Sequence, residues 1–285
     1  MMGGRRWLVA LLCLIATAMA EPGVARAQSP SYPPDIQRIL RRGTLVVALT
    51  TDDLPPFHEM RDGQLAGLDV DLAKGLAAAL GVGVSFDRSS KTFDGVIDVV
   101  ARGEADIAVS KLSRTLARAR LVRFSQPYLT LHHALALNRL WLARAARGRD
   151  VATVVKEFDG RIGVIAHTSY VDYAHRIFPK AQVVEFPSWD QVVAALARGD
   201  IAAAYRDELE IKRLTMEHPE LSLRLKTAIL TDTTDDICMA VGANEGQLLY
   251  LANVYLDSLH LDHKLTANSL LQRYDDKAVT RGAMP

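Results

Sequence analysis

The sequence predicts an α/β fold of two lobes, each a mostly parallel sheet flanked by helices, with a hinge that the chain crosses twice. Short apolar strand patterns alternate with helical patterns, which is typical of parallel sheets covered by helices. The alternation starts again after a basic stretch at Arg139–Arg149. A further strand and a helical stretch close the chain, and we expect them to return to the first lobe.

The first lobe begins with the clearest strand, Thr44–Thr50, which is apolar, β-branched and bounded by Gly43 and Asp52. Gly81 and Gly103 stop two predicted helices. The other elements of this lobe are helices at Asp35–Arg42, Leu68–Leu80 and Asp94–Ala101, and strands at Val82–Phe86 and Ala105–Val109.

The second lobe repeats this pattern. Its predicted strands are Arg161–Ile165, Gln182–Phe186 and Ala202–Tyr205, and its predicted helices are Tyr170–Ile177 and Asp190–Ala197. The closing elements are a strand at Ile237–Val241 and a helical stretch at Glu245–Arg273. We expect the crossings near 132–139 and 231–238, so that residues 28–135 and 236–285 form the first lobe and 136–235 the second.

Residues 1–27 have the pattern of a cleaved export signal. Arg5 and Arg6 precede an apolar run from Trp7 to Ala20, and small-residue cleavage patterns end at Ala20 and Ala27. We favour cleavage after Ala27. A membrane anchor is the alternative, but this run is shorter than the roughly 20 apolar residues that span a bilayer.

Charge and cysteine content narrow the function classes. Residues 1–27 hold three basic residues and one acidic residue, which leaves 31 basic and 32 acidic residues, a net charge of −1. This balance gives no sign of nucleic-acid binding or of a polybasic membrane surface. Only Cys238 remains beyond Cys13 of the signal, so we expect no internal disulfide. No histidine has metal-ligand spacing, and we expect neither a metal nor a cofactor.

Polar side chains cluster where predicted strands end. Ser110, Lys111, Ser113, Thr115 and Arg118 follow the strand that ends at Val109. Open α/β sheets bind ligands at this edge, and Thr115 can cap a helix whose free N–H groups converge with Arg118 on a carboxylate. Ordinary capping with a surface arginine is an equally good interpretation of this segment alone.

The second lobe offers a parallel feature. Thr168 and Ser169 follow the strand Arg161–Ile165 and begin a helix, and Asp207 follows another strand at the same kind of edge. Asp207 can accept an ammonium group. Each feature alone is better explained as a surface cap; their joint occurrence favours a ligand site between the lobes.

An ordered series of motifs resembles the amino-acid-binding class of periplasmic solute-binding proteins of ABC importers, solute-binding protein family 3. The resemblance covers about Gly43 to Tyr274. The motifs that carry it are Pro55–Phe57, Asp62–Ala73, Gly103–Ile107, Ser113–Ala119, Phe124–Tyr128, Asp159–Val164 and Thr168–Tyr173. It implies the two-lobed fold known as the Venus flytrap, which closes on its ligand.

The resemblance also implies residue roles. Arg118 and Thr115 look like the clamp of the ligand α-carboxylate, to which Thr168 and Ser169 add donors from the second lobe. Ser113, the carbonyl of Lys111 and the carboxylate of Asp207 look like the ammonium site. Phe93 matches an aromatic that packs on the ligand, and Leu54 stands where a second aromatic is frequent.

Three positions depart from the family pattern: Leu54 replaces a ring, Lys111 stands at a frequently small position, and His167 replaces a frequent glycine. Lys111, Arg114 and Arg206 together favour an acidic ligand such as glutamate, aspartate or a dicarboxylate. Two further possibilities are that Arg114 points to solvent and that Lys111 pairs with Asp53 or Asp207.

We therefore expect a periplasmic, monomeric, non-enzymatic protein that captures a polar amino acid, with acidic ones among the candidates, and docks on an inner-membrane ABC permease. One alternative is an enzyme on the same fold, such as a prephenate or arogenate dehydratase, because fold alone does not exclude it. Another is a sensing domain that acts through a membrane partner. The candidate general acids of such an enzyme are His58, Glu59, His167 and Asp207.

Overall fold

The computed structural model describes residues 31–260 and 265–272, so the export signal expected at residues 1–27 lies outside the described residues. The strands are β1 (Thr44–Thr50), β2 (Glu59–Arg61), β3 (Gln64–Ala66), β4 (Gly83–Ser90), β5 (Ile107–Ser113), β6 (Val122–Asn138), β7 (Arg161–Ile165), β8 (Gln182–Phe186), β9 (Ala203–Asp207) and β10 (Leu225–Gly242). The helices are α1 (Pro34–Arg42), α2 (Leu68–Ala79), α3 (Phe93–Ala101), α4 (Arg139–Ala146), α5 (Val151–Lys156), α6 (Ser169–Ile177), α7 (Trp189–Arg198), α8 (Glu208–Glu217) and α9 (Gly246–Leu259).

Eight strands form one continuous sheet in the order β4-β1-β5-β10-β6-β9-β7-β8. The strands β4, β1 and β5 are parallel at one end, and β9, β7 and β8 are parallel at the other. We call these two parts the first and the second lobe. This confirms the predicted two-lobed α/β fold.

The two lobes are joined through a long antiparallel pair. β6 has 17 residues and β10 has 18, and they pair with each other over most of their length. β10 also pairs with β5 of the first lobe, and β6 pairs with β9 of the second. The chain therefore passes between the lobes in two extended strands. The predicted lobe limits, at 135/136 and 235/236, fall inside these strands and stay a prediction.

Apolar residues fill both lobes on either face of the sheet. Helix α9 buries Leu248, Ala252 and Leu256 in the same cluster as Leu72 and Leu76 of α2. In the second lobe a separate cluster gathers around β7, α6 and β9. These cores hold the strand ends that face the space between the lobes.

The structure departs from the sequence predictions at several elements: β6, α4, α5 and α8 were not predicted, and several predicted elements have other limits. The strand predicted to end at Val109 continues to Ser113, and the helical stretch Glu245–Arg273 is interrupted, since α9 ends at Leu259 and a short helix covers 267–272. The second strand of the sheet's central pair, β10, starts 12 residues before the predicted Ile237. Main-chain pairing with β6 holds this polar part of the strand extended, and apolar periodicity does not report such pairing.

Candidate ligand-binding site

Two adjoining cavities lie between the lobes. The outer cavity, of about 160 Å³, is lined among others by Asp94, Thr115, Arg118, Thr168, Ser169 and Asp172. The inner one measures about 20 Å³ and is lined among others by Phe93, Lys111, Ser113, Arg206, Asp207 and Asp235. A cavity of the inner size holds little more than one water molecule, so only the outer one has room for a small ligand.

Arg118 lies where the two cavities meet. Its Nε and Nη2 both lie 2.9 Å from Oδ1 of Asp94, and Nη1 donates to the carbonyl oxygen of Ser113 at 3.2 Å. The side chain of Asp94 is 53% exposed, whereas that of Arg118 is buried. Arg118 is thus held in place by one half-exposed carboxylate and one carbonyl.

Thr115 does not begin an α-helix, contrary to the prediction. Its Oγ1 accepts the backbone N–H of Arg118 at 3.2 Å, and the segment that follows is one 3-10 turn at Arg118–Arg120. Three residues are too few for an α-helical N-terminus. Thr115 nevertheless lines the outer cavity beside Arg118.

The second lobe contributes the N-terminus of α6. Thr168 occupies the N-cap position, but its Oγ1 donates to the carbonyl of Ile165 at 2.7 Å and does not cap the helix. Ser169 Oγ donates to Ser113 Oγ at 2.8 Å, a direct bond between the lobes. The first N–H groups of a helix lack intrahelical partners and favour anions, which suits the side of the cavity opposite Arg118.

A buried charge cluster surrounds the inner cavity. Lys111 Nζ lies 2.8 Å from Oδ2 of Asp207 and 2.9 Å from Oε1 of Glu210, and all three side chains are buried. Burial alone would raise the pKa of Glu210, but the cations of Lys111, Arg206 and Arg213 outweigh it and hold that pKa at about 2. We name Lys111, Asp207 and Glu210 the inner cluster.

Asp235 of β10 lies next to the inner cluster and is also buried. Its Oδ2 accepts hydrogen bonds from Ser113 at 2.8 Å and from Tyr170 at 3.2 Å, and its Oδ1 accepts one from Tyr173 at 3.3 Å. Burial raises the pKa of this carboxyl to about 6, with a further contribution from the negative charge of Asp207. Asp235 therefore binds its proton more tightly than an exposed aspartate.

The three cations that favoured an acidic ligand, Lys111, Arg114 and Arg206, differ in their ion-pair partners and in their burial. Lys111 pairs with Asp207, one of the two partners considered from the sequence, and Arg114 pairs at 2.5 Å with Asp236 on a half-exposed surface. Arg206 is buried, and its Nε has no hydrogen-bond partner among the described residues. Of these three cations, Arg206 is the one with a buried polar atom that has no hydrogen-bond partner among the described residues.

Two of the departures from the family pattern share a backbone conformation. Lys111 has φ = 47° and His167 has φ = 57°, in the left-handed region that glycine adopts without cost. At Lys111 the backbone N–H donates to Asp69 at 2.9 Å, and Asp69 also accepts the hydroxyl of Tyr128. This buried support holds a lysine where glycine would be less strained.

Leu54 lines neither of these two cavities, and its role as a ligand contact stays a prediction. It packs against the core of the first lobe and forms an isolated bridge with His58. Among the candidate general acids, only Asp207 lines a cavity, since His58 is buried against Thr50, Glu59 pairs with Arg61, and His167 is exposed. All other predicted site residues line one of the two cavities, and their roles stay proposals.

Sequence reasoning missed Asp94, Glu210 and Asp235. Glu210 stands three residues after Asp207, one turn into α8, where its backbone N–H bonds the capping carboxylate at 3.1 Å. That spacing was the available signal. Asp235 carried no comparable signal, because it belongs to the polar part of β10.

The family model of bacterial extracellular solute-binding proteins, family 3, matches residues 46–269. The chain belongs to this family. Among its curated relatives, a probable histidine-binding protein of Campylobacter jejuni is 28% identical over 173 residues, 60% of this chain and 63% of the relative. A cyclohexadienyl dehydratase of Pseudomonas aeruginosa is 36% identical over 125 residues, 44% of this chain and 43% of the enzyme. The chain spans less than two thirds of the length of these relatives.

Solved structures agree with the fold of this solute-binding protein. An ancestral amino acid-binding protein, described as a precursor of cyclohexadienyl dehydratase, has a TM-score of 0.64 at 26% identity and covers 84% of this chain and 98% of its own. An arginine-bound substrate-binding protein of Streptococcus pneumoniae has a TM-score of 0.64 at 24% identity, over 87% of this chain and 100% of its own. Within the described residues, no helix is long and apolar enough to cross a membrane.

Proposed function

We propose that this solute-binding protein captures a small carboxylate ligand in the periplasm by lobe closure and delivers it to an ABC permease. Amino acids, which several relatives are named for binding, belong to this ligand class. The observation that carries the proposal is the position of Arg118 at a cavity between the lobes, opposite the N-terminus of α6. This arrangement lets one carboxylate contact both lobes.

The chemistry of Arg118 fits a ligand carboxylate. A guanidinium presents paired N–H donors that match a carboxylate, and this pairing is stronger than a neutral hydrogen bond. Asp94 already shows that a carboxylate can reach the Nε and Nη2 of Arg118. Because Asp94 is half exposed, it can turn to solvent at a small free-energy cost when a ligand binds.

The size of the outer cavity fits a small ligand. A buried cavity of about 150 Å³ holds a molecule such as benzene, and the outer cavity has about 160 Å³. A ligand that contacts Arg118 of the first lobe and Thr168 of the second stabilises the closed state by its differential contacts. Closure is the feature that a permease would recognise.

A second candidate function is catalysis of the kind that the dehydratase relative performs. It is favoured by Asp235, a buried carboxyl beside the inner cavity with a pKa raised to about 6, the range of a general acid. Asp235 already accepts three hydrogen bonds from side chains, which suits a structural carboxyl equally well. Capture therefore needs fewer assumptions than turnover.

The test is a thermal-shift and calorimetric screen of the purified protein against amino acids, hydroxy acids, dicarboxylates and prephenate. A ligand at a hundred times its Kd adds about 2.7 kcal/mol of stability. We expect Arg118→Met to abolish the shift and the matched control Arg120→Met, in the same 3-10 turn, to keep it. Retained binding in Arg118→Met, or no shift with any carboxylate, would overturn the proposal, and turnover of prephenate would favour the second candidate.

A further inference from the structure

The inner cluster places a lysine ammonium where the family resemblance assigns the ammonium of the ligand. Asp207 is the carboxylate expected to accept that group. Both of its oxygens are already in use: Oδ2 binds Lys111 Nζ at 2.8 Å, and Oδ1 accepts the backbone N–H of Glu210 at 3.1 Å. Because Lys111 already pairs with the charge of Asp207, a ligand ammonium would have to share this carboxylate with Lys111 or displace Lys111 from it.

Displacement of Lys111 is opposed by its surroundings. Its Nζ also donates to Glu210 at 2.9 Å and lies 4.8 Å from the ring centre of Phe57. The side chain is buried, and the adjoining space is about 20 Å³, so Lys111 has no room to move away beside a second cation. Two ammonium groups at this position would repel each other strongly, because water screens charges less at a buried site than at the surface.

The other buried carboxyl of the inner cavity is largely committed to the protein. Asp235 accepts hydrogen bonds from Ser113, Tyr170 and Tyr173, which use three of its roughly four lone-pair sites. Arg206 adds a further buried positive charge on the same side, with Nη2 3.9 Å from Glu210. The carboxyl groups that line the inner cavity are thus already paired or hydrogen-bonded, while the Nε of Arg206 has no hydrogen-bond partner among the described residues.

We propose that the ligand is a carboxylate without an α-ammonium group, and that Lys111 donates instead to an oxygen at the α-position. This inference rests on the proposed function, since it takes Arg118 as the clamp of the ligand carboxylate. An ammonium has three N–H donors, and Asp207 and Glu210 accept two of them from Lys111. The third suits a hydroxyl or oxo oxygen, so the ligand class is the 2-hydroxy and 2-oxo carboxylates.

Matched ligand pairs test this class without knowledge of the ligand's side chain. Calorimetry would compare L-alanine with L-lactate, L-phenylalanine with L-phenyllactate, L-glutamate with L-2-hydroxyglutarate, and L-arginine with its 2-hydroxy analogue. In the best-binding pair, we expect the hydroxy acid to bind about tenfold or more tightly than the amino acid. Equal binding, or tighter binding of the amino acid, would overturn the inference. Asp98 or Asp172 of the outer cavity would then be the acceptor of the ligand ammonium.

A charge-balanced variant tests the role of Lys111 directly. Lys111→Met combined with Glu210→Gln removes one cation and one anion and leaves the carboxylate of Asp207 free for an ammonium. We expect the preference within each pair to shift by about tenfold toward the amino acid. The matched control Lys212→Met removes a lysine that pairs with Glu208 at 2.7 Å outside both cavities, and it should leave the preference unchanged.

The two proposals fail in different ways. Failure of both members of every pair to bind would contradict the capture function itself. Amino acids that bind through Arg118 as tightly as their hydroxy analogues would leave capture intact and overturn only the ligand class. If the double variant does not fold, the wild-type pairs still decide the inference.

Discussion

The outer cavity and the inner cluster use their charges in opposite ways. Arg118 of the outer cavity pairs with Asp94, which is half exposed, so water and ligands compete for the pair. Lys111 of the inner cluster pairs with two buried carboxylates, and all three side chains are 6% exposed or less. An exposed pair can be exchanged for a ligand contact at little cost, whereas breaking a buried pair leaves an uncompensated charge. The outer cavity therefore offers a carboxylate partner that a ligand can replace, whereas the inner cluster holds Lys111 as a fixed donor.

The largest expected effect follows from breaking the inner cluster. Lys111→Met removes the one cation that hydrogen-bonds both Asp207 and Glu210 among the described residues, and we expect the free energy of unfolding to fall by about 3–5 kcal/mol. Urea denaturation would measure it. Lys212→Met is the control, because its partly exposed pair with Glu208 contributes only about 0.3–0.5 kcal/mol. A loss below about 1 kcal/mol in Lys111→Met would mean that the inner cluster is not fixed.

The second effect concerns pH and distinguishes two carboxyls of the inner region. The pKa of Asp235 is raised to about 6, so its proton favours the folded state: this stability is present below about pH 4 and is lost as the pH rises through 6. The contribution of Glu210 to stability has the opposite pH dependence. Its pKa is lowered from 4.5 to about 2, so this stability is present above about pH 4.5 and is lost as the pH falls through 2.

Asp235→Asn isolates the first contribution. From pH 4 to pH 7, the wild type should lose about 2–3 kcal/mol of unfolding free energy relative to the variant, which has no proton to lose at this position. Thermal unfolding at several pH values would measure this difference. A difference that is the same at both pH values would show that Asp235 does not titrate between them.

The sequence predicted several strands of the two lobes more fully than it predicted the charge cluster at the site. β1, β7 and β8 have the predicted limits because a short apolar run between turn residues specifies a buried strand locally. The pairing of Lys111 with Glu210 joins residues 99 positions apart in two lobes, and no local pattern encodes it. Leu54 packs against the core of the first lobe, and a family position alone does not specify the direction of a side chain.

The smallest expected effect concerns Arg114, which lies four residues before Arg118 in the same segment. Its pair with Asp236 is half exposed, so Arg114→Ala should change the free energy of unfolding by less than about 1 kcal/mol. Arg114 lines neither the outer nor the inner cavity, so the Kd of any ligand that needs Arg118 should change by less than about twofold. Calorimetry would measure the ligand Kd of Arg114→Ala and of Arg118→Met at low and at moderate salt. A long-range electrostatic effect of Arg114 on the Kd would weaken as salt is added. A loss of affinity in Arg114→Ala close to that in Arg118→Met would show that the two arginines act on the ligand together, and the clamp would then extend beyond the outer cavity.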